Sequence, residues 1–451
     1  MMKIFFINTK FCLLLIPILC CCSQNSLDRQ DGIAVIDVEQ QIGHYHAVAA
    51  SEIISGLEYI PLQGGKDFLV GSISQIIVTS THIFCWGQGG GGGGFLIGPN
   101  RTFCYAFGRN GQFLNEIGRV GQGPGEYTMI SGMFIDEKSR TLYLLTTSGL
   151  LVYSWDGVFL RSIKRPENSH GWGLDGVTHI RDNVFIGHTP NRRGKEPYNF
   201  VIFNDSGQVI KAFDNHIFFE RVGSWGGNDD NSIPPFKIEE RIYLKEYHND
   251  TLFFLNQKDE LIPQFVFYLG KYAFPLHLRE VYEHNEAWYN TNYKDRLIIP
   301  IWNVPDYPMV GTTEHIFFSI TQCPDPSFPV PKGIKKTAYV MGQVHDYEYF
   351  KLLGIYDIAR RSMRMPDTDP VSRMPGLIND LDGGLSFWPR YLTSDNELID
   401  IWQPYEMKEF LTEEYFAAHQ IKDPAAHQRL KAVLQDLKED DNPVIVVAKL
   451  K

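Results

Sequence analysis

Phe107-Gly-Arg-Asn-Gly-Gln-Phe-Leu-Asn-Glu-Ile117 reads as two short strands joined by a tight turn. The Asn-Gly step supplies the positive φ that such a turn needs, because glycine has no Cβ to clash there. The arrangement returns as Tyr153-Ser-Trp-Asp-Gly-Val-Phe-Leu-Arg-Ser-Ile163 and as Phe203-Asn-Asp-Ser-Gly-Gln-Val-Ile-Lys-Ala-Phe213. A weaker copy is Leu255-Asn-Gln-Lys-Asp-Glu-Leu-Ile-Pro-Gln-Phe265, and a degenerate one runs Tyr356-Asp-Ile-Ala-Arg-Arg-Ser-Met-Arg-Met365. The first four copies start 46, 50 and 52 residues apart, and the fifth follows after 101, two periods or one with an insertion. Two further strand-like runs precede each of the first four copies, at 75–78 and 82–86, 133–136 and 141–146, 177–180 and 183–187, and 241–245 and 251–255. Four short strands every 40–50 residues or so is the pattern of propeller blades. The hairpin quoted above is then the third and fourth strand of its blade.

This reading predicts an all-β chain, a six-bladed β-propeller with short helical insertions and a C-terminal helix. Blades are expected near 68–117, 128–165, 175–214, 236–268 and 308–366. A sixth spans 377–451, with strands at 384–388, 397–402 and 444–450, and closes with 32–62. An unclosed ring would leave two sheet edges open. The early segments 32–39 and 56–62 are therefore expected to complete the sixth blade beside 444–450. Asp423-Pro424 reads as a helix cap with Pro at the first helical position, followed by an apolar stripe at Ala426, Leu430, Val433, Leu434 and Leu437. Residues 276–298 form an insertion with a helix over 278–288, 322–336 are Pro-rich, and the glycines at 89–94 form a loop tip.

Residues 1–21 read as a signal peptide and 22–31 as a tether. Lys3 and Lys10 flank a short apolar run at 11–19, too short to span a bilayer, and Leu19-Cys20-Cys21-Cys22-Ser23 follows. This resembles a bacterial lipoprotein signal, with Cys22 acylated and Cys21 or Cys20 as fallbacks; the other reading is an ordinary secretory signal. Ser23, rather than Asp, after the cysteine is compatible with the outer membrane. Which face of it is left open. The net charge of −11 and the lack of any basic run beyond two residues argue against nucleic acid. Cys85 and Cys104 flank one hairpin at similar distances from its loop. They are either a disulfide or two small buried apolar residues.

Ile117-Gly-Arg-Val-Gly-Gln-Gly-Pro-Gly-Glu-Tyr127 follows the first hairpin. It resembles the hallmark of six-bladed β-propeller lipoproteins related to NHL-repeat proteins. Leu57-Glu-Tyr-Ile-Pro-Leu62 before the first blade, His248-Asn-Asp-Thr251 at the second strand of the fourth, and Asp440-Asp-Asn-Pro-Val444 before the last strand are further marks. The resemblance covers about 32–451 and implies architecture and an exported location; that family's biochemical role is mostly undefined. Gly121, Gln122, Gly123, Pro124, Gly125, Glu126 and Tyr127 are expected to be structural.

No local motif carries chemistry. The glycines at 118–125 fit neither G-x-x-x-x-G-K-[ST] nor G-x-G-x-x-G. His44 and His46 lack a third metal ligand. Asn379-Asp-Leu-Asp-Gly-Gly384 and Asn228-Asp-Asp-Asn231 lack the distal Glu of a calcium loop. No catalytic residue, metal or cofactor is assigned. Trp172, Trp225, Trp288, Trp302 and Trp388 are expected to pack between blades, with a stacking platform for sugars or peptides as the alternative. The expected role is a lipid-anchored binding or scaffolding module for a protein or glycan. The alternative is a propeller enzyme, a metal-dependent lactonase, hydrolase or lyase, with residues from several blades converging on the axis.

Overall fold

The computed structural model describes residues 32–64, 69–89, 101–167, 171, 173–191, 194–219, 235–238, 241–246, 249–273, 297–298, 309–322, 328–334, 337–341 and 345–451. Cys22, the whole segment 1–31, Cys323, the glycines beyond position 89, His248, 228–231, the expected helix at 278–288, Trp172, Trp225, Trp288 and Trp302 lie outside these residues.

The chain forms a six-bladed β-propeller. Blade 1 pairs Ser72–Val78, His82–Gly89, Arg101–Gly108 and Phe113–Glu116 in that order. Blade 2 pairs Ile130–Asp136, Thr141–Thr146, Gly149–Ser154 and Phe159–Ile163; blade 3 pairs Asp175–Arg181, Val184–His188, Tyr198–Asn204 and Val209–Asp214. Blade 4 contains Phe236–Ile238, Arg241–Lys245, Thr251–Leu255 and Leu261–Tyr268. Blade 5 is built on His315–Gln322, His345–Asp357 and Ser362–Pro366, with Val310–Gly311 as its inner strand. Blade 6 runs Tyr391–Leu392, Glu397–Trp402, Val444–Leu450 and Ile54–Pro61. The first strands touch one another from blade 4 through blades 5, 6, 1 and 2 to blade 3, so they are the innermost.

Two expectations about closure need correction. Residues 34–37 do not join blade 6. They add in parallel to the fourth strand of blade 4, Ala34 opposite Phe265 and Asp37 opposite Tyr268, and Ile36 enters the seam between blades 4 and 5. A strand of four residues carries no signal for its partner, and the open outer edge of blade 4 takes it. Residues 384–388 contribute only an isolated bridge, Leu377 to Phe387, and the inner strand of blade 6 is Tyr391–Leu392. Thr251, expected to open a second strand, opens the third strand of blade 4. Two helices before the last one are additions: α1 (Pro404–Phe410) and α2 (Glu413–Ala418) precede α3 (Pro424–Asp436). The Asp423 side chain accepts from Ala426 N–H at 2.9 Å and starts α3.

The core is a set of six seams rather than one centre. Successive side chains of a strand point to opposite faces of its sheet. In Val444–Leu450, Val444, Val446 and Ala448 pack toward blade 5, while Ile445 and Val447 pack toward blade 1. In Thr141–Thr146, Leu142 and Leu144 face blade 1, and Tyr143 and Leu145 face blade 3. Middle strands are therefore apolar at consecutive positions. Truncating one such side chain to Ala costs about 2–5 kcal/mol. One polar clip crosses a seam near the axis. The Gln75 amide donates to Met133 O at 2.8 Å and accepts from Met133 N at 2.9 Å and from Trp86 Nε1 at 3.0 Å.

The repeated turn glycine does two jobs. Gly111, Gly157 and Gly207 have φ of +82°, +82° and +81°. Each also presses on the end of the fourth strand of the preceding blade or on the residue just after it. A Cβ would meet Pro61 O at Gly111, Glu116 O at Gly157 and Lys164 O at Gly207. In the fourth copy the same position is Asp259, with φ +58°, and its carboxylate takes both Arg181 Nη atoms at 2.7 and 2.6 Å. Arg161 likewise reaches Asp205 at 3.0 Å, and Arg109 reaches Glu397 at 3.1 Å. The turns thus lock one blade onto the next.

Cys85 pairs with Tyr105, and Trp86 with Cys104. This offset sends the two thiols to opposite faces: Cys85 enters the blade 6–1 seam and Cys104 the blade 1–2 seam. Both are free. Burial pushes the Cys85 thiol up to about 12 and the Cys104 thiol well above its ordinary range.

Two outcomes are expected. Gly157→Ala and Gly207→Ala lower stability by more than the ~1–2 kcal/mol of left-handed strain alone. Gly171→Ala, at φ +75° with nothing within 4 Å of its Cβ, loses only the strain; chemical denaturation of the three variants measures the difference. In native buffer, iodoacetamide leaves Cys85 and Cys104 unmodified in a peptide map, and both react after unfolding.

Candidate functional site

A four-stranded antiparallel blade begins and ends on the same side of the ring. Its first and third turns lie on one face. Its second connection and the link to the next blade lie on the other. Among the described residues the turns within blades on the first face are tight: 79–81, 109–112, 155–158, 205–208, 256–260 and 393–396. The long described connections between strands, 117–129, 367–390 and 403–443, belong to the second face, while the early chain 38–53 follows the rim and enters Ile54–Pro61 from the first. Loops on a rigid scaffold are where binding residues concentrate, so this long-connection face is the candidate site.

The glycine-rich run forms one of these connections. Arg119–Val120 pairs in parallel with Glu126–Tyr127, and Gly121 N–H donates to Tyr127 O at 3.0 Å. The Glu126 side chain folds back inward. One oxygen accepts from Gly123 N–H at 2.8 Å and the other from Arg119 Nε at 2.7 Å. Those bonds hold its carboxyl below the usual range. A Cβ on Gly121 would occupy the space of that carboxylate. Gly125, at φ +72°, lies against the Phe159 ring and accepts Tyr153 OH at 2.7 Å. Tyr127 is buried in the blade 1–2 seam. Gln122, Gly123 and Pro124 are exposed at the tip. The motif divides accordingly: Gly121, Gly125, Glu126 and Tyr127 build the connection, and the three tip residues face solvent.

The connection 367–390 and the helices make a second cluster. Asn379-Asp-Leu-Asp-Gly-Gly384 is a knot of internal hydrogen bonds. Asp380 accepts from Ser51 N–H at 2.8 Å, Ser51 Oγ at 2.6 Å and Lys422 Nζ at 2.6 Å. Asp382 accepts from Tyr59 OH and Asn379 Nδ2, both at 2.7 Å, and from Gly384 N–H at 3.0 Å. Every carboxylate oxygen in the knot already has a proton donor, so the donor set does not fit a calcium loop. The knot ties the early chain (Ser51, Tyr59) to the late helices (Lys422). Among the described residues no group of three or more His, Cys, Asp or Glu is placed to hold a metal. His44 and His46 are both exposed. Trp388 is buried in the blade 5–6 seam with its ring edge-on to Phe317 at 5.6 Å.

Sequence reading missed two buried charges on this face. Asp369 and His419, 50 residues apart, form an ion pair of 2.5 Å with side chains 1% and 3% exposed. His419 Nδ1 bonds Tyr415 O at 2.7 Å, so both ring nitrogens donate and the ring is an imidazolium. Tyr415 stacks on it at 4.0 Å. Asp369 Oδ1 also accepts from Ser372 N–H at 2.7 Å and Val371 N–H at 2.9 Å. With both nitrogens engaged and no access to solvent, the pair is a clasp between α2 and the 367–390 connection. The second charge is Lys245, at the loop end of its strand. It is fully buried, pushed down to about 8 by burial, and its Nζ donates to Glu246 O at 3.1 Å and Asn249 O at 2.9 Å. It ties Glu246 to Asn249 through their carbonyls. No local pattern marks either group, because their partners are contributed by distant or backbone atoms.

The clasp has a pH signature. The Asp369 hydrogen bond raises His419 above its ordinary 6.5 despite burial. Its contribution is full below that value and is lost as pH rises through the raised one. Burial pushes Asp369 up, but His419 and the Ser372 and Val371 amides outweigh it and leave it below its ordinary 3.8. That contribution is present above 3.8 and is lost on acidification. His419→Gln is therefore expected to melt below the native protein by the widest margin in mildly acidic buffer, at about pH 5–6. The margin narrows in alkaline buffer; thermal midpoints across pH test it, and a constant margin contradicts the clasp.

No curated protein matches the chain. Its fold is similar to the crystal structure of a putative exported protein from Bacteroides fragilis NCTC 9343, at 15% identity and TM-score 0.57, covering 93% of this chain and 99% of that one. A member of the DUF4221 family from Bacteroides vulgatus is 11% identical, with TM-score 0.47, over 88% of this chain and 97% of that one. At these identities the likeness concerns the fold alone. The family described as Domain of unknown function (DUF4934) matches residues 33–449, all six blades, and the chain belongs to that family.

Proposed function

We propose that the protein is an exported lipoprotein, acylated on Cys22, that holds its propeller at the outer membrane and presents the long-connection face to a protein or glycan partner. The observation that carries this reading is the asymmetry of the ring among the described residues, with tight blade turns on one face and the connections 117–129, 367–390 and 403–443 on the other. A scaffold that only needed to close would have no use for long loops on one side. The N-terminal pattern of Lys3, Lys10, an apolar run and Cys22 supports export and anchoring. The structure from Bacteroides fragilis is itself described as a putative exported protein, which agrees with that address. The hairpin repeats and the Gly121 to Tyr127 run support kinship with NHL-like propellers.

Anchoring is tested by intact mass and N-terminal peptide analysis of the envelope protein. The expected product begins at Cys22 and carries acyl chains, and Cys22→Ser is released unacylated; an unmodified mature N-terminus downstream of Cys22 refutes it. The binding face is tested with a photo-crosslinking residue placed at Gln122, on an exposed long-connection tip, or at Lys258, on an exposed short turn. Protein or glycan adducts in intact cells are expected from position 122 and not from 258. The reverse pattern assigns binding to the other face.

A further inference from the structure

Blades 4, 5 and 6 are wrapped from outside by the early chain. Ala34–Asp37 lies on the fourth strand of blade 4, Tyr45–His46 on that of blade 5, and Ile54–Pro61 is itself the fourth strand of blade 6. Among the described residues nothing covers the fourth strands of blades 1, 2 and 3. These three strands share one distortion. Phe113 and Asn115 pair with Phe107 and Ala106, and Leu114 is passed over. Leu160 is passed over between Phe159 and Arg161, and Ile210 between Val209 and Lys211. The three occupy the same position in the repeat. A one-residue bulge of this kind re-aims a side chain. Leu114, Leu160 and Ile210 are 44, 50 and 51% exposed, and their neighbours Val158 and Val209 are 59 and 44% exposed. Val158 closes the turn 155–158, and the other four lie within two residues of the turns 109–112, 155–158 and 205–208, at the short-turn face.

The bulge turns these side chains outward, so the arc offers apolar side chains at its surface. A bulge alone does not bar an added strand, since the fourth strand of blade 4 passes over Gln264 and still takes Ala34–Asp37. Two nearby cations are already paired within the ring, Arg161 with Asp205 and Arg181 with Asp259. An apolar arc with no directional hydrogen-bonding demand suits a fluid hydrocarbon surface.

We propose that this arc of Leu114, Val158, Leu160, Val209 and Ile210 rests on a lipid surface, with the long-connection face turned away from it. The path of the chain supports that occupant. Ala34–Asp37 is parallel to Leu261–Tyr268, which leaves the short turn 256–260, so the chain enters the ring from the short-turn side. Cys22 precedes Gly32 by 10 residues. That is at most ~35 Å of extended chain. An acyl group there keeps the bilayer beside the face that carries the arc. The orientation rests on the acylation of Cys22; the contact itself does not.

The test is hydrogen–deuterium exchange on the full envelope protein reconstituted into phosphatidylcholine vesicles. Exchange is expected to slow several-fold in peptides covering 109–116, 155–163 and 205–214, but not in 256–262 or 358–364, the equivalent turns of blades 4 and 5. Leu160→Asp with Ile210→Asp abolishes the slowing while the melting temperature and the acyl-dependent pelleting with vesicles stay as they were. Equal exchange at all five turns overturns the proposal. So does slowing that appears without vesicles and grows with protein concentration, which assigns the arc to a second copy. The intact mass of the same sample reports whether Cys22 is acylated. If it is not, excess vesicles present the same lipid surface without the tether, and the five turns are compared in the same way.

Discussion

Closure of the ring is the constraint on which everything else depends. Ile54–Pro61 and Val444–Leu450 come from opposite ends of the chain and form one continuous ladder, with Leu57 opposite Ala448 and Ile60 opposite Ile445. Two of the six seams exist only because this ladder forms. Val446 and Ala448 have a partner in blade 5, and Ile445 and Val447 have one in blade 1, only when the sheet stands between them. A long-range pairing of this kind is entropically expensive and rewards the chain late. The Asn379 to Gly384 knot reinforces it from outside the sheet, through Tyr59 on the early strand and Ser51 just before it.

The seams explain the composition of the strands. A blade has no solvent face in its middle, so both faces of each middle strand must be apolar. Most charge lies in turns, outer strands and connections, where pairs such as Arg161–Asp205 and Arg181–Asp259 cross from blade to blade; Asp400 on a middle strand of blade 6 is buried and held by Arg390 at 2.8 Å. Three buried charges are held by several partners each: Asp382 by three donors, Asp369 by His419 and backbone amides, Lys245 by two carbonyls. Such groups specify one arrangement of the connections, since any other would leave a charge buried without a partner.

The early chain makes the rim asymmetric. Its route covers the outer edges of blades 4 and 5 and supplies the outer strand of blade 6, while the fourth strands of blades 1, 2 and 3 share a bulge at one repeat position. The same repeat position that ends each hairpin turn in a left-handed residue ends, three residues later, in an outward aliphatic on blades 1, 2 and 3. One repeated sequence element therefore sets both the contact between blades and the surface they show.

Much of the architecture was legible in the chain alone. The hairpin repeats carry their own turn chemistry, so period, blade type and most strand positions follow from residues close in sequence: 141–146, 241–245, 397–402 and 444–450 coincide with strands of the structure. The Asp423-Pro424 start of α3 is equally local. The partner of 34–37, the opposite facing of Cys85 and Cys104, the clasp between Asp369 and His419, and the division of the glycine motif into a folded-in part and an exposed tip were not legible. Each depends on which residues meet across tens or hundreds of positions. Local sequence determines a strand through propensity and turn geometry; only the closed ring decides what lies against its two faces and its outer edge.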